Sequence, residues 1–330
     1  MTRPRLIAAA VLVLVVAAAA AFWLRPGRSG GTSPILFVSN YRSDTISVVD
    51  TALGREIKTL PVGDSPMGLA LRGGDSPLLA VANSTSSHVT FIDPRRLEIT
   101  GTVPVGKGPE FVAFSPDGAT LYVTSPYDQT VTVVDVAQRA ATGTPIAFDR
   151  KPRALAVAPD GKRLYVVLSE ANGAVAAVDT ATRQVVGTVP AGKTPTALAL
   201  SADGTRLLAA SFDDSTITVI DTAAFKALAT LEAPTGMGLI THPSKPLVYS
   251  LASFDDSIAV IDFQAGKTVA TIDVGQYPTY GAISPDGRTL YVPNEDSDNV
   301  VEIDTETNAV QLRIAIGDEP AHAVIFYPSR

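Results

Sequence analysis

A recurring pattern of two apolar runs joined by a Pro-Asp-Gly turn constrains the fold of this chain more than any other feature. In residues 108–123 the pattern reads GPEFVAFSPDGATLYV. Proline fixes φ at the first central position of such a turn, aspartate bonds its own backbone, and glycine adopts the left-handed conformation. Variants of the pattern occupy residues 151–166, 194–209 and 277–292. The chain is therefore predicted to be built from repeated β-hairpins.

An aspartate that closes one apolar run of each unit marks the period of the repeat. Each unit contains four short runs rich in Val, Ile, Leu and Thr, which are typical of β-strands. A period of about 42 residues with four strands is typical of a β-propeller blade. We predict an all-β fold, a seven-bladed β-propeller of four-stranded antiparallel blades. The marker residues are Asp50, Asp93, Asp135, Asp179, Asp221, Asp262 and Asp304.

The marker aspartates allow two interpretations. They could form a functional ring of carboxylates, or each could satisfy backbone donors in the turn that follows its strand. Repetition in every unit is what a structural need predicts. We therefore expect a turn role.

The chain enters the repeat out of phase. With the strands of a blade named A to D from the axis outward, the first strand, residues 35–40, is of type B. The last strand, residues 322–327, is of type A and has no partner after it. Because ring closure removes exposed strand edges, we predict that the C-terminal strand joins the first blade.

Residues 1–24 have the composition of an export segment. Two arginines precede an unbroken apolar run over residues 6–24. Small residues near the end of the run suit a signal peptidase, whereas its length also suits a retained anchor that contacts the membrane. Both alternatives place the folded part outside the cytoplasmic membrane, periplasmic or extracellular. Residues 25–34 predict a flexible linker, and residues 35–330 the propeller.

The overall composition argues against several classes of partner and site. Asp and Glu number 33 against 26 Lys plus Arg, a net charge of −7 at pH 7. This charge argues against a nucleic-acid partner held through phosphate contacts. The chain has no cysteine, so disulfides, thiolate metal sites and covalent c-type haem are excluded.

Several motifs resemble those of a known family. LYVTS, LYVVL and LYVPN begin at Leu121, Leu164 and Leu290, and they occur together with TVTVVD, PVGKGPE and SPDG. These motifs resemble the YVTN repeat of YncE-like proteins, over essentially all of residues 35–330. The resemblance implies an exported seven-bladed propeller. Similar propellers serve as binding scaffolds, haem d1 domains, amine-dehydrogenase subunits and lactonases, and the fold does not choose among them.

The loops that join strands D to A and B to C should surround the mouth of the central channel, where a ligand site is expected. We predict a basic sector of this mouth at Arg150, Lys151, Arg153 and Lys193, facing an acidic sector formed by later B–C loops. The alternative is ordinary solvated loops. The acidic loops include the repeated sequence Phe-Asp-Asp at residues 212–214 and 254–256.

One position of strand A should face the axis in every blade. Most blades carry Gly or Ala there, whereas Phe111, Tyr280 and His322 are bulky. These three side chains either plug the channel or contact a ligand. Glu110 and Arg153 occupy the preceding position in consecutive blades and predict an ion pair, with Glu110 as a metal ligand the alternative.

The sequence contains no recognisable catalytic constellation. Its three histidines fall at different repeat positions, so a metal site built from all three is not expected. We therefore expect a non-enzymatic scaffold that binds an unknown protein or small ligand, with no cofactor. The alternative is a lactonase-like or redox propeller with a metal ion or haem d1 at the mouth, the haem held by His322. The predicted ligand-binding residues are Glu110, Phe111, Arg150, Lys151, Arg153, Lys193, Tyr280 and His322.

Overall fold

The computed structural model describes residues 33–328, which form a seven-bladed β-propeller. Every blade is an antiparallel sheet in the order A-B-C-D, as predicted. The predicted export segment, residues 1–24, and all but the end of the predicted linker lie outside the described residues. Within residues 33–328, no helix has the length and apolar character needed to cross a membrane.

The two inner strands of each blade carry the hairpin pattern found in the sequence. The A strands are Pro66–Arg72, Val112–Phe114, Lys151–Val157, Pro195–Leu200, Gly238–Thr241, Ala282–Ile283 and Pro320–Phe326. The B strands are Ile35–Asn40, Leu78–Asn83, Thr120–Ser125, Arg163–Ser169, Arg206–Ser211, Leu247–Ala252 and Thr289–Asn294.

The two outer strands end the repeat, and two B–C loops contain a short 3-10 helix. The C strands are Thr45–Asp50, His88–Asp93, Thr130–Asp135, Ala174–Asp179, Thr216–Asp221, Ser257–Asp262 and Asn299–Asp304. The D strands are Arg55–Pro61, Glu98–Pro104, Gln184–Pro190, Lys226–Glu232, Lys267–Asp273 and Ala309–Ala315, with Ala140–Ala141 and Ile146–Ala147 as the broken D strand of blade three. The 3-10 helices are Ser253–Asp255 and Glu295–Ser297.

The C-terminal strand closes the ring, as its phase predicted. Pro320–Phe326 pairs antiparallel with Ile35–Asn40, in a register that sets Phe37 opposite Val324 and Ser39 opposite His322. We number the resulting blade as blade one. Its inner strand comes from the end of the chain and its other three strands from the start.

The marker aspartates have the predicted turn role. Asp262 is representative, because its Oδ1 accepts the amides of Gln264 at 3.0 Å and Ala265 at 2.8 Å. Every other marker accepts at least one amide two or three residues further along the chain. Each carboxylate therefore shapes the turn between strands C and D.

The Pro-Asp-Gly turns also form as predicted. The Gly118 amide donates to the Ser115 carbonyl at 2.8 Å, and Gly118 has a φ of +68°. Asp117 Oδ1 accepts the Ala119 amide at 3.0 Å and the Ser115 hydroxyl at 2.5 Å. The Ser115 bond, followed by the amide bond, holds the pKa of Asp117 below its ordinary value.

The hydrophobic core is divided among the interfaces between blades. Among residues 33–328 the buried apolar side chains form seven clusters, one for each pair of adjacent blades. The cluster between blades seven and one packs Leu36 and Val38 against Tyr291 and Val300. Because each blade is buried on both faces by its neighbours, stability depends on a closed ring.

The loops lie on two opposite faces of the propeller. The D–A and B–C loops share one face, which we call the mouth face, and the A–B and C–D turns share the opposite face. Both described ends of the chain lie on the opposite face. The Pro34 carbonyl there accepts bonds from the amide and hydroxyl of Thr51, at the start of a C–D turn.

Candidate functional site

Three aromatic side chains meet near the axis of the propeller. Phe111 and Tyr280 pack edge to face, with ring centroids 4.7 Å apart. The ring centroid of His322 lies 6.2 Å from that of Phe111 and 5.6 Å from that of Tyr280. Their shared repeat position on strand A anticipated this convergence. We call these three residues the axial plug.

Backbone bonds between blades seven and one hold two residues of the axial plug. The Tyr280 amide donates to the Ala321 carbonyl at 3.2 Å, and the Ala323 amide donates to the Tyr280 carbonyl at 2.8 Å. The His322 amide donates to Ser39 Oγ at 3.1 Å. The positions of Tyr280 and His322 therefore depend on ring closure.

Burial controls the protonation of the axial plug. Tyr280 and His322 lie deep among protein atoms, yet each keeps part of its surface accessible. That combination is expected of side chains along a narrow channel. Burial raises the pKa of the Tyr280 phenol and lowers the pKa of His322 from 6.5 to about 4. Both side chains are therefore neutral at pH 7.

Glu110 and Arg153 form the predicted ion pair beside the axial plug. Arg153 Nε lies 2.9 Å from Glu110 Oε2, and Nη2 lies 3.3 Å from Oε1. Such bidentate geometry is the stronger form of an arginine–carboxylate contact. Burial disfavours the charge of Arg153, but the hydrogen bonds and charge of Glu110 prevail and raise the pKa of Arg153. Both carboxylate oxygens of Glu110 are thus bonded to Arg153.

Removing Arg153 should destabilise the protein measurably. The side chain of Glu110 is only 14% exposed, so Arg153→Met would leave a poorly solvated carboxylate without its partner. We expect the free energy of unfolding to fall by about 1–3 kcal/mol, measured by urea denaturation at pH 7.

Lys193→Met is the matched control for that measurement. Lys193 Nζ lies 3.7 Å from Asp214 Oδ1, with the lysine side chain 64% exposed, and such surface pairs contribute at most about 1 kcal/mol. Equal stability losses in the two variants would contradict a structural role for the Arg153–Glu110 pair.

The remaining predicted residues lie further out on the mouth face. Arg150 is largely buried, and it donates to the Asn172 carbonyl at 2.7 Å and pairs with Asp149. Lys151 and Lys193 are exposed. The structure thus gathers Glu110, Phe111, Arg153, Tyr280 and His322 at one place, and it gives Arg150 and Lys193 local partners. Their role in ligand binding stays a prediction.

Several acidic residues of the B–C loops have a structural role that the sequence reasoning missed. Asp214 Oδ2 accepts the Lys193 amide at 2.8 Å, and Asp256 Oδ1 accepts the Tyr277 amide at 3.0 Å. Asp298 Oδ1 accepts the Glu319 amide at 3.0 Å. These carboxylates connect the B–C loops to the neighbouring D–A loops. Part of the acidic sector therefore stabilises the loops.

Glu295 is a candidate functional residue that was not among those predicted. Burial, and to a smaller extent the charges of the nearby Glu319 and Asp296, raise the pKa of its carboxyl from the ordinary 4.5 to about 7. Perturbed carboxyl groups of this kind cluster at functional sites. The charge of Glu295 in turn raises the pKa of the Tyr277 and Tyr280 phenols, after the larger effect of burial. In the sequence, Glu295 belongs to one acidic loop among several, so nothing distinguished it from the other acidic residues.

The hydrogen bonds of His322 do not fit ligation of a haem iron. Its Nδ1 accepts the Leu69 amide at 3.1 Å, so the neutral ring carries its proton on Nε2. A nitrogen ligand needs a free lone pair, and metal-bound histidines usually donate through the other ring nitrogen. His242 Nδ1 likewise accepts amides, in an A–B turn on the opposite face. Among residues 33–328, no group of three His, Cys, Asp or Glu side chains is arranged to hold a metal ion.

Comparisons of the sequence identify two family models. The model of the YNCE-like β-propeller matches residues 4–118, and the model of the cytochrome D1 heme domain matches residues 153–325. Protein YncE of Salmonella typhi, which is uncharacterised, is 30% identical over 100 residues. That match covers 30% of this chain and 28% of the relative's length.

Solved structures share the fold at low sequence identity. Hydrazine synthase of Kuenenia stuttgartiensis matches with a TM-score of 0.74 at 21% identity, over 84% of this chain and 96% of the other. The periplasmic gluconolactonase PpgL of Pseudomonas aeruginosa matches with a TM-score of 0.74 at 21% identity, over 90% and 100%. The dihydro-heme d1 dehydrogenase NirN matches with a TM-score of 0.64 at 17% identity, over 91% and 77%. The chain is thus a seven-bladed propeller that belongs to the cytochrome D1 heme domain family, whose model matches residues 153–325, and that also matches the YNCE-like β-propeller model over residues 4–118.

Proposed function

We propose that this chain is a binding module that acts outside the cytoplasmic membrane and holds a protein partner or small ligand at its mouth face. The observation that carries the proposal is the axial plug beside the Arg153–Glu110 pair. Three neighbouring rings narrow the channel near its axis, which favours binding at the rim of the mouth. Exposed aromatic side chains there, Tyr127 at 75% and Phe254 at 72%, are suited to contact it.

The location of the chain ends also supports the mouth face as the binding surface. Residue 34 and the end of strand Pro320–Phe326 both lie on the opposite face. The mouth face is therefore free of both described ends of the chain. The structural likeness to a periplasmic gluconolactonase supports a location outside the cytoplasmic membrane.

Photo-crosslinking in the cells that make the protein tests the proposal. A photoreactive amino acid is placed at Tyr127 or Phe254 on the mouth face. Matched controls carry it at Leu228 on an outer strand or at Tyr327 on the opposite face, both exposed side chains. We expect discrete adducts, resolved by mass spectrometry, from the two mouth positions alone. Adducts of equal yield from the control positions, or none from the mouth, would overturn the proposal.

Hydrolysis of a lactone is a second candidate, and Glu295 is the observation that favours it. A carboxyl group with a pKa of about 7 can take up or release a proton at neutral pH, as a general acid or base must. If this candidate is right, the purified protein hydrolyses gluconolactone, and Glu295→Gln lowers the rate at least about 100-fold. No hydrolysis by the unaltered protein, or an unchanged rate in the variant, would exclude it.

A further inference from the structure

A row of aromatic side chains crosses the mouth face over blades five to seven. The ring centroids of Phe212 and Phe254 are 5.2 Å apart, and those of Phe254 and Tyr277 are 5.7 Å apart. Phe254 is 72% exposed and its two neighbours are partly exposed, so the three rings form a contiguous apolar patch of the kind found at interaction sites. We call Phe212, Phe254 and Tyr277 the aromatic strip.

One residue of the aromatic strip, Tyr277, has a disfavoured backbone conformation. Tyr277 has a φ of +54°, in the left-handed region that bulky side chains avoid. Gly108 occupies the corresponding loop position four blades earlier in the sequence, also at positive φ, as do Ser65, Thr194 and Glu319. The bond from the Tyr277 amide to Asp256 keeps the loop in this shape.

The charges around the strip are acidic. The Glu295 amide donates to the Tyr277 carbonyl at 2.9 Å, and the Asp296 amide donates to the carbonyl of Gln276 at 3.3 Å, so both acidic residues adjoin the strip. Neither carboxylate forms an ion pair with a residue of the described chain, 33–328.

Three cations of the mouth face are already paired. Arg153 pairs with Glu110, Arg42 with Glu319, and Lys193 more loosely with Asp214. The mouth-face loops of blades five to seven carry more acidic than basic residues, so the charge that they present to an incoming partner is negative. Aromatic faces and carboxylates together bind ammonium and guanidinium groups, through cation–π contact and charge.

We propose that the aromatic strip is a docking surface for a lysine- and arginine-rich segment of a partner protein. The inference rests on the proposed function and specifies the chemistry of the partner. Basic side chains would lie across Phe212, Phe254 and Tyr277 while their charged ends face Glu295 and Asp296. Association of this kind should weaken as salt is raised, because exposed charges are screened.

Peptide titration tests the docking surface. A fluorescent lysine-rich peptide and a glutamate-rich peptide of equal length are titrated with the purified protein, and binding is followed by fluorescence anisotropy at low and physiological salt. We expect the lysine-rich peptide to bind more tightly and to lose affinity with salt. Equal affinities, or tighter binding of the glutamate-rich peptide, would overturn the proposal, as would equally strong competition by free lysine amide, which would indicate a small-amine site.

Matched variants locate the binding. Phe254→Ala and Glu295→Gln should each lower the affinity for the lysine-rich peptide roughly two- to fivefold. Leu228→Ala and Glu98→Gln, which change exposed side chains of outer strands, should leave it unchanged. Strip variants that bind like the unaltered protein would overturn the docking surface. The crosslinking result is independent, because adducts at Tyr127 without peptide binding would retain the proposed function and reject only the basic partner.

Discussion

Deletion of residues 320–330 is expected to abolish cooperative unfolding of the propeller. The deletion removes the inner strand of blade one and exposes the edge of Ile35–Asn40, in which Leu36, Phe37 and Val38 are fully buried. It also removes the backbone bonds that join blade seven to blade one at Tyr280. The loss should exceed the roughly 5–15 kcal/mol by which a typical domain is stable. Thermal unfolding followed by circular dichroism measures it.

Substitutions of two adjacent aromatic residues distinguish the loss of ring closure from the mere shortening of the chain. Phe326 is 3% exposed and packs between blades one and two, whereas Tyr327 is 44% exposed. Phe326→Ala should lower the free energy of unfolding by roughly 3–5 kcal/mol, and Tyr327→Ala by much less. If the deleted chain still melts at the full-length temperature, the C-terminal strand does not hold the ring.

Acidification should destabilise the protein through His322. The pKa of this ring falls from 6.5 to about 4 on folding because of burial, so between these values the unfolded chain binds the proton more readily. The stability contribution is therefore complete above about pH 6.5 and is lost as the pH falls towards 4, by up to about 3 kcal/mol. His322→Gln should flatten the dependence of unfolding free energy on pH across this window, measured by urea denaturation.

Glu295 should act in the opposite direction over the same window. Its folded pKa of about 7 lies above the ordinary 4.5, so the folded state holds the proton more tightly. Its contribution is greatest below about pH 4.5 and is lost as the pH rises through 7. Glu295→Gln should therefore make the acid-induced loss of stability steeper. Identical pH profiles for the two variants would contradict the assigned environments of both groups.

The fold could be predicted from local sequence because the same turn and strand motifs recur in the blades of a propeller. The Pro-Asp-Gly turns and the marker aspartates act through hydrogen bonds within a few residues, so their role could be read from spacing. Ring closure was also predictable, since a chain that starts with a B strand and ends with an A strand lacks one partner at each end. The broken D strand of blade three is local as well, since Gly143 and Pro145 interrupt it.

The candidate site could be predicted only in part. Phe111, Tyr280 and His322 share a repeat position, so symmetry brought them to one axis. The hydrogen bond at His322 Nδ1 comes from the amide of Leu69, which is distant in sequence. The spacing of the repeats does not predict this contact. The aromatic strip was equally hidden, because Phe254 and Tyr277 occupy different kinds of loop and meet only when blades six and seven pack together.

By itself, the sequence determined the number of blades, their strand order and the closure of the ring, because turns and strand patterns are set by short-range interactions. Only the tertiary structure decided which charges of the mouth are paired, which carboxylates brace loops and which aromatic rings touch. Those properties depend on distances between residues of different blades, and such distances exist only after the ring has closed.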